Sequence, residues 1–406
     1  MRRCGVGYRH GQSAESDFGG TDELPSSNEV YYPGHFTEWE TRQPEDVGMD
    51  STVVQQAIDF AVKNETEAPK DLVLERTLNV FEPHDDLIGP IGERGACNGV
   101  ILRHGYIVAE WGETDRVDTT FSATKSYVST CAGLAFDRGI IKDLNHRVGL
   151  YVKDGGFDSP HNRQITWHQM LNQTSDWEGT LWGKPDWADR PEGPYGELPY
   201  RKRNAPGTVW KYNDVRVNRL ALSLLRIWRK PLPQVLKELI MDPIGASPTW
   251  EWHGYENSWV KVDGVMMQSV AGGGHWGGGM MISSRDHARF GLLCLRNGRW
   301  KGQQLLSEEW IRRATTPTGT RITDQYPLKA RNSIPAENQT WYGYMNWMLN
   351  TGRQLLPSCP ETCYMHEGNG VNVVWVDKEH DLVVVVRWIN RDRLDDFLGK
   401  VIAAVK

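Results

Sequence analysis

The sequence predicts an α+β fold, in which helices flank an antiparallel sheet and a mostly helical domain is inserted into the chain. Runs rich in β-branched residues occur near both ends of the 406-residue sequence, whereas helical and loop signals dominate between them. Strands from both ends can share one sheet when the middle of the chain forms its own unit. The expected organisation is a flexible segment 1–30, a discontinuous sheet domain 31–118 and 275–406, and a helical domain 119–274.

The composition is typical of a globular protein and excludes several classes of partner. Hydrophobic residues make up 39% of the chain and aromatic residues 10%, which is enough for a full core. The net charge of −6 and the isoelectric point near 6.1 give no basic surplus, so neither nucleic acid nor an anionic membrane is predicted as a partner. No signal peptide and no uninterrupted apolar run of membrane-spanning length is visible, so we expect a soluble, cytoplasmic protein.

The six cysteines lack the regular spacing of a disulfide framework, and this favours a reducing compartment. Only Cys359 and Cys363 are close enough in sequence for a local disulfide or a metal pair. No matching set of histidines and cysteines accompanies them, so we predict neither a metal site nor a cofactor.

Two elements are predicted before the helical region. Residues 50–62 place apolar side chains at helical spacing behind an Asp/Ser cap. Residues 98–111 contain two β-rich runs on either side of a turn at Gly105, which predicts a hairpin. This hairpin leads into the helix that follows residue 119, so that helix should begin at the edge of the sheet.

Three helix starts are predicted further along the chain. Thr166 and Gln169 have the spacing of a capping box. Asp214 precedes a run with apolar residues at helical spacing, and one interpretation of this residue is that it caps that helix. Ser283 caps a helix that stops at Asn297. The glycine-rich segment 272–281 before that helix implies close backbone approach or strained turns.

The C-terminal region is predicted to supply most of the sheet. Residues 364–377 have the pattern of a strand, an Asn-Gly turn and a second strand. Residues 381–389 have the unbroken apolar run of a central strand. A helix from Leu394 to Val405 closes the chain.

Residues 182–199 are predicted to form a long, ordered loop. The stretch contains Trp182 and Trp187 and is then rich in proline and glycine. Loops of this length in compact proteins are often functional, so we interpret it as a substrate-covering loop, with the two tryptophans as walls of a cleft. Ordinary packing is the alternative role for each tryptophan.

Ser122 and Lys125 are the first candidates for chemistry. Residues three apart in a helix share a face, so the Lys125 amine can reach the Ser122 hydroxyl and accept its proton. Backbone N–H groups at a helix start would favour an oxyanion there. The alternative is that Ser122 is a helix cap followed by an unrelated lysine.

Four stretches together resemble the serine hydrolase superfamily of class C β-lactamases, penicillin-binding proteins and esterases. They are Phe121–Ser126, Ile165–Ser175, Pro206–Asp214 and the segment 272–291. Tyr212 follows Ser122 by 90 positions and His366 follows it by 244, which is similar to the spacing of the family's Ser-x-x-Lys, Tyr-x-Asn and Lys-Thr-Gly elements. The detail looks closest to the branch of 6-aminohexanoate-dimer hydrolases and esterases. The resemblance implies a β-lactamase-like fold.

The resemblance also implies an acyl-transfer mechanism. Ser122 would attack an ester or amide carbonyl, while Lys125 and Tyr212 shuttle protons and water later frees the acyl group. The lysine and phenol pKa values should be lowered by proximity and burial for this role. The oxyanion would be held by the Ser122 N–H and by an N–H of the edge strand near Gly368 and Asn369.

Two residues depart from the family's pattern. Asp214 stands where the family's Tyr-x-Asn element has its asparagine, and its carboxylate beside Lys125 would favour the charged form of the amine. His366 stands where lactamases carry the lysine that recognises a carboxylate, and it should be mostly neutral at pH 7. These departures favour an esterase or amidase over a lactamase. His366, Asp214, Trp182 and Trp187 are therefore substrate-binding candidates without an assigned role.

The expected partner is a small ester or amide, and the expected state is a monomer or a homodimer. A D-amino-acid-specific peptidase or weak β-lactamase is the enzymatic alternative. An inactive homologue that senses an acyl ligand is the alternative from a different class, and Asp214 supports it.

Overall fold

A computed structural model describes residues 30–317 and 333–406. The predicted flexible segment 1–30 lies, except for its last residue, outside the described part. The helices are α1 (Ser51–Lys63), α2 (Leu72–Asn79), α3 (Thr124–Asp137), α4 (Trp167–Leu171), α5 (Asp214–Trp228), α6 (Leu232–Leu236), α7 (Ser284–Leu295), α8 (Glu308–Ala314) and α9 (Leu394–Ala403).

The strands range from two to twelve residues. They are β1 (Asn98–Arg103), β2 (Tyr106–Trp111), β3 (Asp118–Thr119), β4 (Thr180–Leu181), β5 (Lys184–Pro185), β6 (Val209–Lys211), β7 (Glu251–Val262), β8 (Val265–Val270), β9 (Gly279–Ile282), β10 (Arg299–Trp300), β11 (Gln303–Gln304), β12 (Ser333–Pro335), β13 (Trp347–Leu349), β14 (Tyr364–Gly368), β15 (Asn372–Asp377) and β16 (Leu382–Arg387).

The main sheet has six antiparallel strands in the order β13-β14-β15-β16-β1-β2. Its strands come from both ends of the sequence, as predicted, and the hairpins 98–111 and 364–377 are confirmed. β16 lies between β15 and β1, which confirms the predicted central strand. Val383 and Val385 pack into a core with α3 and α7, while Val384 and Val386 pack into a second core with α1 and α9. Burial on both faces explains the unbroken apolar run.

A second sheet has the order β3-β9-β7-β8 and is not predicted by the sequence pattern. Two of its strands, β7 and β8, lie in the region predicted to be mostly helical. β7 and β8 form a long hairpin within residues 251–270. Asp263 and Gly264 both have positive φ, 51° and 86°, at the turn between them. An Asp-Gly pair between β-rich runs is a strong hairpin signal, so the sequence contained the information. The division into domains stays a prediction.

The predicted helix starts are confirmed with one correction. Asp50 caps α1, Thr166 and Gln169 make both bonds of a capping box, and Ser283 caps α7. At α5, however, the cap is Asn213, whose side chain accepts from the Arg216 N–H at 3.0 Å. The alternative interpretation of Asp214 as the cap is therefore wrong, and its carboxylate is free for other contacts.

The five described cysteines are free, buried thiols, and Cys359 and Cys363 are among them. The local disulfide considered for that pair is therefore not formed. No helix within the described ranges is both long enough and apolar enough to cross a membrane.

Candidate active site

Ser122 lies in a tight turn that leads into α3. The turn, Phe121–Ala123, is a single 3₁₀ turn, and Phe121 has a positive φ of 45°. Two glycines pack directly on its backbone: a Cβ at Gly273 would collide with the Phe121 carbonyl, and a Cβ at Gly368 would collide with the Thr120 carbonyl. The glycine-rich segment and the end of β14 therefore hold the nucleophile turn from two sides.

Lys125 lies one turn further and contacts Ser122 directly. Its Nζ donates to Ser122 Oγ at 2.9 Å and to the Gly272 carbonyl at 3.1 Å. Asp214 Oδ1 lies 2.6 Å from the same Nζ, and both side chains of this ion pair are fully buried. Asp214 therefore lies directly beside Lys125.

Asp214 also belongs to a wider network of charges, in which the two carboxylates are buried and Arg190 is partly exposed. Arg190 Nη1 lies 2.9 Å from Asp214 Oδ2 and 2.6 Å from Asp189 Oδ1, and Asp189 accepts a bond from the Asp214 N–H. Burial works to raise the pKa of Asp214, but Lys125 and Arg190 hold it well below the ordinary carboxyl value. Burial raises the pKa of Asp189, with Asp214 adding to the effect against the opposing charge of Arg190. The Asp214 carboxylate is thus an acceptor only.

Tyr212 completes the group around Ser122. Its ring centre lies 5.0 Å from Lys125 Nζ and 4.7 Å from Arg190 Cζ, so both cations contact the ring face. Burial raises the pKa of the phenol well above 10, and Asp214 adds to this, while Arg190 and a side-chain hydrogen bond with Ser122 oppose it. The expectation of a lowered tyrosine pKa is therefore wrong, because burial and a nearby carboxylate both disfavour a phenolate.

Gln173 fixes the backbone on both sides of Tyr212. Its carbonyl accepts from the Lys211 N–H at 3.0 Å, and its side-chain oxygen accepts from the Asn213 N–H at 2.9 Å. Its amide nitrogen donates to the Tyr342 hydroxyl at 3.2 Å, and the Tyr342 ring packs edge-on against Tyr212. Gln173 thus positions the Tyr212 side chain through the backbone on both sides of it and through Tyr342.

The candidate oxyanion residues lie where β14 meets the nucleophile turn. Gly368 ends β14, and Asn369 lines the cavity that contains Ser122. The strand is not the edge of the sheet, as the sequence led us to expect, because β13 pairs beyond it. β13 pairs with β14 only as far as His366, so within the described residues β13 does not pair with Gly368. Asn346 joins the two parts, since its amide donates to the Ser122 carbonyl at 3.0 Å and to the Glu367 carbonyl.

His366 points into the core of the protein. Its Nδ1 lies 2.6 Å from Ser126 Oγ, and its ring packs edge-on against Trp347. Burial lowers the pKa of His366 to about 3, so the ring is neutral at pH 7. It is absent from the residues that line the Ser122 cavity.

A cavity of about 540 Å³ opens beside Ser122. It is lined by residues of α2 and the following segment, by the turn at Ser122, by Gly273–His275, by Asn369, and by Arg190, Pro191 and Tyr195 of the predicted covering loop. The Tyr195 hydroxyl donates to the Phe81 carbonyl at 3.2 Å, which ties the loop to the segment after α2.

Trp182 and Trp187 are not among the residues that line this cavity. Both are half-buried. The Trp182 carbonyl accepts from Asn257 at 3.1 Å, and the Trp187 ring packs edge-on against His84. The structure therefore brings Ser122, Lys125, Tyr212, Asp214, Gly368 and Asn369 together and leaves His366 and the two tryptophans apart from them.

One group of described residues could hold a metal ion. Ligand atoms of Glu82, Asp189 and His275 lie within 4.8 Å of one another. His275 Nε2 already lies 2.9 Å from Glu82, and Arg190 lies 2.6 Å from Asp189. The guanidinium at that distance opposes the entry of a second cation.

Several site residues were missed in the sequence. Asp189 and Arg190 follow the tryptophan-rich stretch, but no periodicity marks them, and only the placement of the loop brings them to Asp214. Asn346 has a positive φ of 67° and acts through backbone carbonyls, which leaves no local pattern. Arg76 lies in α2, a helix that the sequence pattern did not predict.

A family model described as Beta-lactamase matches residues 98–400. The chain belongs to this Beta-lactamase family. This Beta-lactamase family member is accordingly a serine hydrolase, and the predicted β-lactamase-like α+β fold is confirmed. By sequence, it matches no curated protein.

Solved structures resemble this Beta-lactamase family member in fold. A family VIII carboxylesterase has a TM-score of 0.53 and 16% identity, covering 76% of this chain and 91% of its own. A penicillin-binding protein homologue from Caulobacter crescentus has a TM-score of 0.54 and 13% identity, with 82% and 96% covered. EstCE1, a hydrolase with promiscuous acyltransferase activity, has a TM-score of 0.54 and 13% identity, with 87% and 96% covered. Similarity at this level shows the fold, and the branch within the family stays a prediction.

Proposed function

We propose that the protein cleaves a carboxylic ester or amide through an acyl-enzyme on Ser122. The observation that carries the proposal is the 2.9 Å contact between Lys125 Nζ and Ser122 Oγ, with the Tyr212 ring packed on the same ammonium. A hydroxyl that lines a cavity, with an amine in contact with it and a phenol packed on that amine, supplies the groups that acyl transfer to a serine requires.

The ion pair between Lys125 and Asp214 sets the resting state. In this state the ammonium donates a hydrogen bond to Ser122 Oγ and orients it, without removing its proton. The reacting state has one proton fewer, so that the Lys125 amine has a lone pair for the Ser122 proton as Oγ bonds to the carbonyl carbon.

Tyr212 serves as the proton donor to the leaving group. Because its pKa is raised, the phenol is protonated at neutral pH and can donate to the departing oxygen or nitrogen. The proton that Lys125 took from Ser122 then passes to Tyr212. Water then attacks the acyl carbonyl carbon and gives one proton along the same route to Ser122 Oγ. The bond between Oγ and the acyl carbon breaks, and the acyl group leaves as the free acid. The developing oxyanion is held by the Ser122 N–H and an N–H at Gly368 or Asn369.

Labelling and turnover test this proposal together. A fluorophosphonate should add once to the protein, and Ser122→Ala should remove the adduct in intact mass spectrometry. The same variant should abolish hydrolysis of 4-nitrophenyl butyrate, whereas Ser51→Ala, which changes an exposed serine, should retain both properties. Parallel assays with a 4-nitroanilide and a chromogenic cephalosporin separate ester, amide and lactam cleavage.

The second candidate is an acyl-ligand-binding protein without turnover. The buried Lys125–Asp214 pair favours it, because a lysine held as an ammonium is a poor base. This candidate predicts adduct formation without steady-state hydrolysis of any of the three substrates. Steady hydrolysis that disappears in Ser122→Ala excludes it.

A further inference from the structure

Arg76 is a buried cation on the wall of the Ser122 cavity. It is 8% exposed, and its Nε donates to the His275 carbonyl at 2.6 Å. Its Nη2 is buried and has no hydrogen-bond partner among the described residues, and no carboxylate of that part of the chain lies within 4.0 Å of the guanidinium. Arg76 and Ser122 line the same 540 Å³ cavity.

The other basic side chains on this wall already have partners. Arg190 is paired with Asp189 and Asp214, and His275 lies 2.9 Å from Glu82. A buried guanidinium without an opposite charge is costly, and arginine is well suited to bind a carboxylate through two parallel N–H groups. Among the described residues that line the cavity, Arg76 is therefore the cation that is available to a ligand.

The acidic residues of the cavity do not cancel this charge. The Glu82 carboxylate is taken by His275, and Glu75 is half-exposed, with its Oε1 accepting a long bond from Asn79 at 3.4 Å. Half-exposure keeps the Glu75 charge hydrated and screened, whereas the enclosed Arg76 charge is felt at short range.

We propose that Arg76 binds a carboxylate carried by the substrate, so that the preferred substrates are esters or amides with a second, ionised acid group. This inference rests on the proposed function of Ser122. The subsite belongs to α2, which precedes the residues 98–400 that match the family model. His366, the residue at the position of the lactamase lysine, is buried and neutral and cannot take this role.

Matched pairs of esters test the subsite. In the first pair, the 4-nitrophenyl monoester of adipic acid is compared with its methyl-capped diester, which places the charge on the acyl side. In the second pair, 4-carboxyphenyl butyrate is compared with its methyl ester, which places the charge on the leaving group. In at least one pair the wild type should have a kcat/KM at least tenfold higher for the charged member.

The variants Arg76→Gln and Arg76→Lys identify the group responsible. The ratio of kcat/KM between charged and neutral members should fall at least tenfold in Arg76→Gln and less in Arg76→Lys, which keeps the charge. Arg116→Gln is the matched control, because Arg116 also donates to a backbone carbonyl, that of Glu93, but is not a cavity residue. Its ratio should equal that of the wild type. A merely structural role of Arg76 would change both members of a pair equally.

The outcomes separate this inference from the proposed function. Absence of ester hydrolysis and of Ser122 labelling overturns the proposed function itself. Hydrolysis with equal kcat/KM for charged and neutral members in both pairs overturns the Arg76 subsite alone. Equal wild-type values overturn the subsite even where Arg76→Gln does not fold, in which case Arg76→Lys is the variant that assigns a preference to Arg76. A ratio that persists in a folded Arg76→Gln also overturns the subsite.

Discussion

Lys125 Nζ lies 2.6 Å from Asp214 Oδ1, and both side chains are fully shielded from solvent. The pair joins the candidate base of the reaction to a charge network that continues through Arg190 to Asp189. A serine hydrolase that places a carboxylate at this position constrains its lysine electrostatically. The catalytic competence of the site therefore depends on how protons are distributed in this network.

Asp214→Asn should move the acidic limb of the kcat/KM profile to lower pH. The substitution keeps the shape of the side chain but removes the negative charge beside the ammonium, so the reacting state with one proton fewer is reached more easily. The profile is measured with a neutral 4-nitrophenyl ester between pH 5 and pH 10. An unchanged limb would show that Lys125 is not the group that limits the rate.

Tyr212→Phe should lower kcat by about 10²- to 10⁴-fold, because the leaving group loses its proton donor. Labelling of Ser122 by a fluorophosphonate, whose fluoride leaving group needs less protonation, should be slowed much less. Tyr342→Phe is the matched control, since Tyr342 is a buried neighbouring phenol bonded to Gln173, and we expect it to lose less than tenfold. Equal losses in the two variants would remove the assigned role of Tyr212.

The raised pKa of Tyr212 can be tested by absorbance spectroscopy. The phenol should remain protonated through pH 10, so activity near neutrality cannot depend on a phenolate. Difference absorbance at 295 nm between wild type and Tyr212→Phe should show no ionisation of this residue below pH 10. Ionisation near pH 8 would instead support the lowered pKa that the sequence led us to expect.

Much of the fold could be predicted because local signals agreed with the final structure. Caps at Asp50, Thr166 and Ser283 marked helix starts, and the valine-rich strand 382–386 was recognised as central because both of its faces are buried. The hairpin at Asp263 and Gly264 was missed although its turn is encoded locally, because helical signals dominate the sequence around it.

The site was only partly predictable for a physical reason. Ser122 and Lys125 are neighbours in sequence, so helical spacing alone brings them together. Arg190 is brought to the site by the course of a loop, whereas Asn346 and Arg76 act there through hydrogen bonds to backbone carbonyls. Neither kind of placement leaves a periodic pattern in the sequence. The sign of the Tyr212 pKa shift likewise depends on burial and on Asp214, which only the assembled site reveals.

Arg190→Gln should destabilise the fold by about 3–5 kcal/mol, because it leaves Asp189 without its cation in a buried setting. The free energy of unfolding is measured in urea at pH 7. Arg312→Gln, which breaks an exposed pair with Glu309, should change it by about 1 kcal/mol or less. A loss for Arg190→Gln no larger than that of the control would mean that the network is hydrated and not electrostatically coupled.

His366 should make the protein less stable in acid. Its pKa is lowered to about 3 in the folded state by burial, whereas an unfolded histidine titrates near about 6.5, so between these values the unfolded state binds the extra proton. Stability therefore falls as pH decreases from about 6.5, by about 1.4 kcal/mol per unit for this one group. Urea unfolding at pH 7 and pH 5 should show a smaller loss of stability for His366→Asn than for the wild type. His253→Asn changes a more exposed histidine and should retain the wild-type dependence. An identical pH dependence in His366→Asn and wild type would mean that the folded protein accepts the proton at this site.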